Sequence, residues 1–75
     1  MVLSDLKQGE KATIKDLSSL NQLVKTRLMN LGIYLGSEVN VKTKMPLGGP
    51  CVVECKGQRI GIRLHEANSI RVEKK

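Results

Sequence analysis

The sequence predicts a small, mainly β domain with one helix, and three observations carry that expectation. Short runs of alternating apolar and polar residues recur through the second half of the chain, one amphipathic stretch has helical spacing, and 75 residues leave room for one core. A chain of this size buries only about 60% of the surface it exposes when unfolded, so no second lobe fits and one domain over residues 1–75 is expected.

In chain order, "MVLSDL" offers Val2, Leu3 and Leu6 as apolar anchors, and "EKATIKDL" reads as a first strand with Ala12 and Ile14 on its inner face. In "SSLNQLVKTRLMNLGI", Ser19 and Gln22 stand at capping-box spacing ahead of an apolar repeat at Leu20, Leu23, Val24, Leu28 and Leu31, which predicts a helix over residues 20–31. Gly32 fits the left-handed position after the last turn, with Ile33 placed to touch Leu28 as the hydrophobic contact of a Schellman stop. At about 100° per residue, Arg27 falls inside the apolar arc of this helix and Met29 on the opposite face.

"YLGS" reads as a turn in which Gly36 supplies a positive φ. "EVNVKTKM" then alternates Val39, Val41, Thr43 and Met45 against Asn40, Lys42 and Lys44, giving one apolar and one basic face. "CVVECKG" puts Cys51, Val53 and Cys55 on one face, Gly57 and Gln58 make a tight connection, and "RIGIRL" turns Ile60, Ile62 and Leu64 inward. "HEANS" is a short turn or single helical turn, and "IRVEK" closes the chain with Ile70 and Val72 inward. Five short strands are too few for a sandwich, and a flat open sheet leaves half a core exposed. The expected solution is a closed or nearly closed SH3-like β-barrel, with the helix between strands one and two plugging one end.

Both cysteines lie in "MPLGGPCVVEC". Two thiolates on one metal, each about 2.3 Å from it, must bring their sulfurs within roughly 4 Å. On a strand the spacing of Cys51 and Cys55 separates their Cα atoms by about 13 Å, which excludes a shared metal and also a disulfide, with its need for about 4.4–6.8 Å. Both are therefore expected as small core residues. His65 and Glu66 offer one nitrogen and one oxygen with no further ligand at metal-binding spacing, and "PLGGP" lacks the Lys-Ser/Thr and following helix of a phosphate-cradling loop. No Ser-His-acid set, acidic pair or activated thiol can be assembled, so a non-enzyme without metal or cofactor is expected.

Thirteen basic against seven acidic side chains give +6, which favours an acidic protein surface, anionic lipid or nucleic acid, or serves solubility. Small barrels that hold single strands stack bases on aromatics, at about 1–3 kcal/mol per base. Tyr34 is the sole aromatic, so no stable nucleic-acid complex is expected, and the aromatic groove of a proline-binding SH3 domain is missing too. Neither a signal peptide nor an apolar run near the roughly 18 residues of a membrane span is present, which predicts a soluble, cytoplasmic protein.

The candidate site residues are those that break the pattern or cluster in charge. Lys42, Lys44, Arg59 and Arg63 point outward from strands expected to be neighbours, with Lys56 at a turn beside them. Arg27 either lays its stem across the core edge with its guanidinium on a carboxylate or backbone carbonyls, or meets a partner. Met29 is a lone exposed apolar residue or a docking knob.

"RLMNLGIYLGSEV", "PLGGP" and "GQRIGIRLHEANSIRV", in this order and spacing, resemble the FeoA family, small cytosolic components of bacterial ferrous iron transport whose SH3-like fold also forms the C-terminal domain of DtxR-type metal regulators. Two departures stand out: Leu35 where the family usually has Pro, and Gly49 where Asp is frequent before Pro50. The resemblance implies a partner of FeoB, the membrane transporter with a cytosolic GTP-binding domain. Iron binding by the small protein itself does not follow from it. The leading expectation is a docking module on that transporter through Arg27, Met29, Lys42, Lys44, Arg59 and Arg63. The alternative is a metal-regulator-like or nucleic-acid-associated module.

Overall fold

The computed structural model describes residues 1–75. A short 3-10 turn at Leu3–Asp5 precedes β1 (Lys11–Asp16), α1 (Gln22–Asn30), β2 (Glu38–Lys44), β3 (Cys51–Cys55), β4 (Gln58–Ile62), α2 (Leu64–Ala67) and β5 (Arg71–Lys74). The strands form one antiparallel sheet in the order β4-β3-β2-β1-β5. The expected five strands and the helix between the first two are present, whereas the barrel is left open, with β4 and β5 as unjoined edges. The outer edge of β5 is covered by the N-terminal segment: Val2 bridges Arg71, Leu3 N–H donates to Ile70 O at 2.8 Å, and Val72 N–H to Met1 O at 3.0 Å.

Eighteen buried residues make one continuous core. They include Leu3 and Leu6 of the N-terminal segment and Ala12, Ile14, Val39, Val41, Val53, Ile60, Ile62, Ile70 and Val72, inward positions of the period-two pattern. Each large aliphatic side chain buried in this way contributes about 1.5–3 kcal/mol relative to exposure, which is what holds so short a sheet curved around its core.

The helix begins two residues later than its apolar repeat suggests. Asn21, not Ser19, is the N-cap: its side-chain oxygen accepts from Val24 N–H at 2.9 Å, and Leu20 is buried ahead of the first turn. The stop is the expected Schellman motif, with Gly32 at φ 91°, Ile33 N–H on Leu28 O at 2.8 Å and Gly32 N–H on Met29 O at 3.0 Å. Leu28 and Ile33 are fully buried and Val24 and Leu31 pack at the core edge, but Leu23 is 84% exposed, because the nine-residue helix has only a narrow buried stripe, with Leu28 its one buried residue.

Two further corrections come from the sheet. The β3–β4 turn is Lys56-Gly57, both left-handed at φ 53° and 81°, so that Gln58 belongs to β4 and pairs with Cys55. Leu64, expected at the end of a strand, opens α2 and is 40% exposed.

Candidate functional site

The basic stripe divides at a β-bulge. In β2, Val41 pairs with Val53 but Thr43 pairs with Val52, so Lys42 is an extra residue and the alternation reverses after it. Thr43 and Met45, expected inward, are exposed as a result, and Lys44 shares the Cys51 side of the sheet. The Lys44 ammonium donates to the carbonyls of Ser4 and Leu6, at 2.9 Å each, and fastens the N-terminal turn to β2. It therefore leaves the outward stripe.

Lys42 and Arg59 do come together, on either side of Glu54 on β3. Lys42 Nζ lies 3.7 Å from Glu54 Oε1 and Arg59 Nε 4.0 Å from Glu54 Oε2. Arg63 stands one strand length from Arg59, exposed, as the residue before α2, where its backbone N–H donates to Glu66 Oε1 at 3.2 Å.

Arg27 reaches across the molecule. Its guanidinium donates to Glu66 Oε1 at 2.7 Å, joining α1 to α2, and the Glu66 side chain is only 5% exposed. A charge placed inside the apolar arc is thus matched by a carboxylate buried from a distant element, while the arginine itself stays partly in solvent.

Met29 sits on the solvent face of α1, 56% exposed, and is not alone. The turn after the helix closes through Ser37 N–H on Tyr34 O at 3.0 Å, with Gly36 at φ 86°. That geometry puts Leu35 at the turn's outer corner, where it is 63% exposed. Met29, Tyr34, Leu35 and Leu17 together line a groove of about 460 Å³ that Lys25 and Asp16 flank. On the other side of Tyr34, a second concavity of about 480 Å³ runs over the sheet toward Asn40, Glu54 and Lys56. Tyr34 and Leu35 form the ridge between the two.

Lys56 secures that ridge. Its ammonium donates to Tyr34 Oη at 2.7 Å and lies 4.5 Å from the ring centre, and this hydrogen bond to Tyr34 holds its pKa above the ordinary lysine value. Sequence reasoning missed Tyr34 and Leu35. The signal was available in the turn, whose outer corner must project from the surface whatever residue occupies it.

All seven carboxylates are engaged. Glu10, Glu38, Glu54, Glu66 and Glu73 pair with cations, while Asp5 and Asp16 accept from the backbone N–H groups of Val2 and Ser18. The excess positive charge therefore resides on side chains with no ion pair, among them Lys11, Lys25, Lys56 and Arg63. No three His, Cys, Asp or Glu side chains gather as a metal site would require. Cys51 and Cys55 are free, buried on one face of β3, and burial pushes the Cys51 thiol pKa up. No helix is long and apolar enough to cross a membrane.

Comparison with known proteins gives this surface a family context. The chain is similar to the solution structure of FeoA from Chlorobium tepidum, 36% identical over 99% of this chain and 70% of that one, with a TM-score of 0.92. It is also similar to iron(II) transport protein A from Clostridium thermocellum, 34% identical over 99% of this chain and 45% of that one, with a TM-score of 0.89. FeoA from Stenotrophomonas maltophilia, solved with zinc and described as an SH3 domain protein, is 30% identical over 97% of this chain and 89% of that one, at a TM-score of 0.82. A manganese-dependent transcriptional repressor shares the fold alone, at 20% identity and a TM-score of 0.90, over all of this chain and 36% of its own. No curated protein sequence matches. The family model of the FeoA domain matches residues 1–74, and with the fold and the neighbours above this places the chain in the FeoA family, whose role is accessory to ferrous iron transport.

Proposed function

We propose that this domain is a non-enzymatic cytoplasmic accessory of ferrous iron uptake that docks on a FeoB-type transporter, at its GTP-binding domain or another cytosolic surface. The observation that supports this best is the convergence of Met29, Tyr34 and Leu35, from a helix and the turn after it, around one groove with Lys25 and Asp16 at its rim and Lys11 and Lys56 beyond the ridge of Tyr34 and Leu35. Apolar anchors beside charge are what a protein interface needs: the anchors contribute affinity, and the charges speed and orient encounter. Lys42, Arg59 and Arg63 add a positive field on the adjoining sheet, whereas Arg27 and Lys44 act through the fold by holding α2 and the N-terminal turn.

Titration of the purified domain with the transporter or its GTP-binding domain, in each nucleotide state, tests the reading. Binding is expected at low salt and is expected to weaken as salt screens the basic side chains around the groove and on the adjoining sheet. Met29→Glu and Leu35→Glu alter exposed side chains, so the fold persists while affinity drops by about tenfold or more. Absence of binding at low salt in every nucleotide state, or unchanged affinity of both variants, refutes the proposal.

A further inference from the structure

The two edges of the sheet are treated differently. The outer edge of β5 is covered by residues 1–3, but nothing pairs with β4 beyond β3. Which β4 groups are left over follows from its turn. A two-residue turn with both residues left-handed makes the flanking residues, Cys55 and Gln58, exchange both backbone hydrogen bonds. By alternation Ile60 and Ile62 also bond to β3, and the N–H and C=O groups of Arg59 and Gly61 point away from it. No backbone or side-chain hydrogen bond from another element reaches those four groups, and both residues are exposed.

The side chains along this edge have a pattern of their own. Arg59, Gly61 and Arg63 alternate onto one face, since Arg63 is still extended at φ −68° and ψ 152°. Gly61 leaves a gap between the two arginines, because a Cβ built on it meets nothing within 4 Å. Arg63 has no ion pair. Arg59 shares Glu54 with Lys42, so it can turn to a new carboxylate without leaving Glu54 unpaired.

We infer that the open edge of β4 receives an extended acidic segment of another protein as an added strand, hydrogen-bonded to the main chain of Arg59 and Gly61. Its side chains follow an acidic–x–large–x–acidic pattern. The acidic groups meet Arg59 and Arg63, and the large residue, best an aromatic, fills the space over Gly61. The pattern reads the same in both directions, so either strand orientation satisfies it. A second copy of this chain does not fit: each copy carries +6, and pairing two β4 edges about Ile60 brings the Arg59 side chains onto one face. The edge and the Met29 groove share no residue, so Gly61→Pro separates this inference from the transporter reading, whose positive field also includes Arg59 and Arg63.

The test uses the whole domain, isotope-labelled, and a synthetic peptide Thr-Glu-Val-Tyr-Val-Glu-Thr, followed by amide shifts and hydrogen exchange. Binding is expected to shift and protect the Arg59 and Gly61 amides above all others. Gly61→Pro removes an outward N–H and leaves the β3 pairing in place, as does Arg63→Glu, which alters an exposed side chain. Each is expected to weaken binding by about tenfold, with the remaining amide spectrum unchanged. A peptide in which both Glu are replaced by Lys is expected not to bind. Shifts centred on Met29, Tyr34 and Leu35, no binding at low salt, unchanged affinity of Gly61→Pro, or dimerisation of the free domain through β4 each overturns the inference.

Discussion

Replacing Arg27 by Met tests the ion pair between α1 and α2 most directly, because methionine retains much of the arginine stem while removing its charge. Glu66 then remains almost fully buried with only the Arg63 N–H as a partner. Breaking a fully buried pair costs about 3–5 kcal/mol, and an exposed pair contributes about 0–1 kcal/mol. The Glu66 side chain is 5% and the Arg27 side chain 45% exposed, so the loss falls between these limits, at about 2 kcal/mol. For a domain of this length that lowers Tm by about 10 °C. Urea unfolding followed by circular dichroism is expected to show a lower midpoint at unchanged slope. Glu66→Gln alone is expected to cost about 1 kcal/mol, because one charge-assisted hydrogen bond becomes neutral. The double variant is expected to cost less than the sum of the singles, since no bare carboxylate is then left in the core. If Arg27→Met stays within about 0.5 kcal/mol of the parent, or the two changes simply add, the pair does not hold the helices together. Loss of transporter binding at undiminished stability would instead make Arg27 a direct contact.

Three further outcomes are expected. Cys51 and Cys55 should resist a thiol reagent in the folded protein and react on unfolding, because both are buried and the Cys51 thiol is held protonated by desolvation; rapid labelling of both without denaturant would contradict the β3 face. Leu47, at φ 59° and fully exposed at the tip of the "PLGGP" hairpin, sits in a region that disfavours a bulky side chain, so Leu47→Gly is expected to raise stability by about 0.5–1 kcal/mol, read as an increased unfolding midpoint. The carboxyl pKa values of Glu10, Asp16 and Glu38 are lowered, first of all by the Lys74 side chain, the Ser18 backbone N–H and the Lys75 side chain respectively. Their contribution is present above the unfolded carboxyl pKa and is lost as pH falls through the folded values, so Tm is expected to be flat near neutrality and to drop in acid. A Tm that rises on acidification would refute this sign.

Local chemistry determined much of this protein from the sequence alone. The period-two runs fix which side of each strand is buried, except in β2 beyond Lys42, and the placement of Gly32, Gly36 and Gly57 fixes where the chain turns, because each requires only a residue's own φ and its immediate neighbours. The spread of the two thiols follows from the same rise per residue, so one metal shared by Cys51 and Cys55 is excluded once their segment is a strand. What the tertiary structure decided lies where distant segments meet. The Glu66 partner of Arg27 is 39 residues away, the bulge at Lys42 that turns Lys44 onto the N-terminal carbonyls depends on the register with β3, and the ridge of Tyr34 and Leu35 exists only because α1 and the turn after it close beside the sheet. Alternation along one strand contains no information about an extra residue opposite its neighbour. Nor does it say which sheet edge the N-terminus covers, so the open edge of β4 became visible only once the strand order was known.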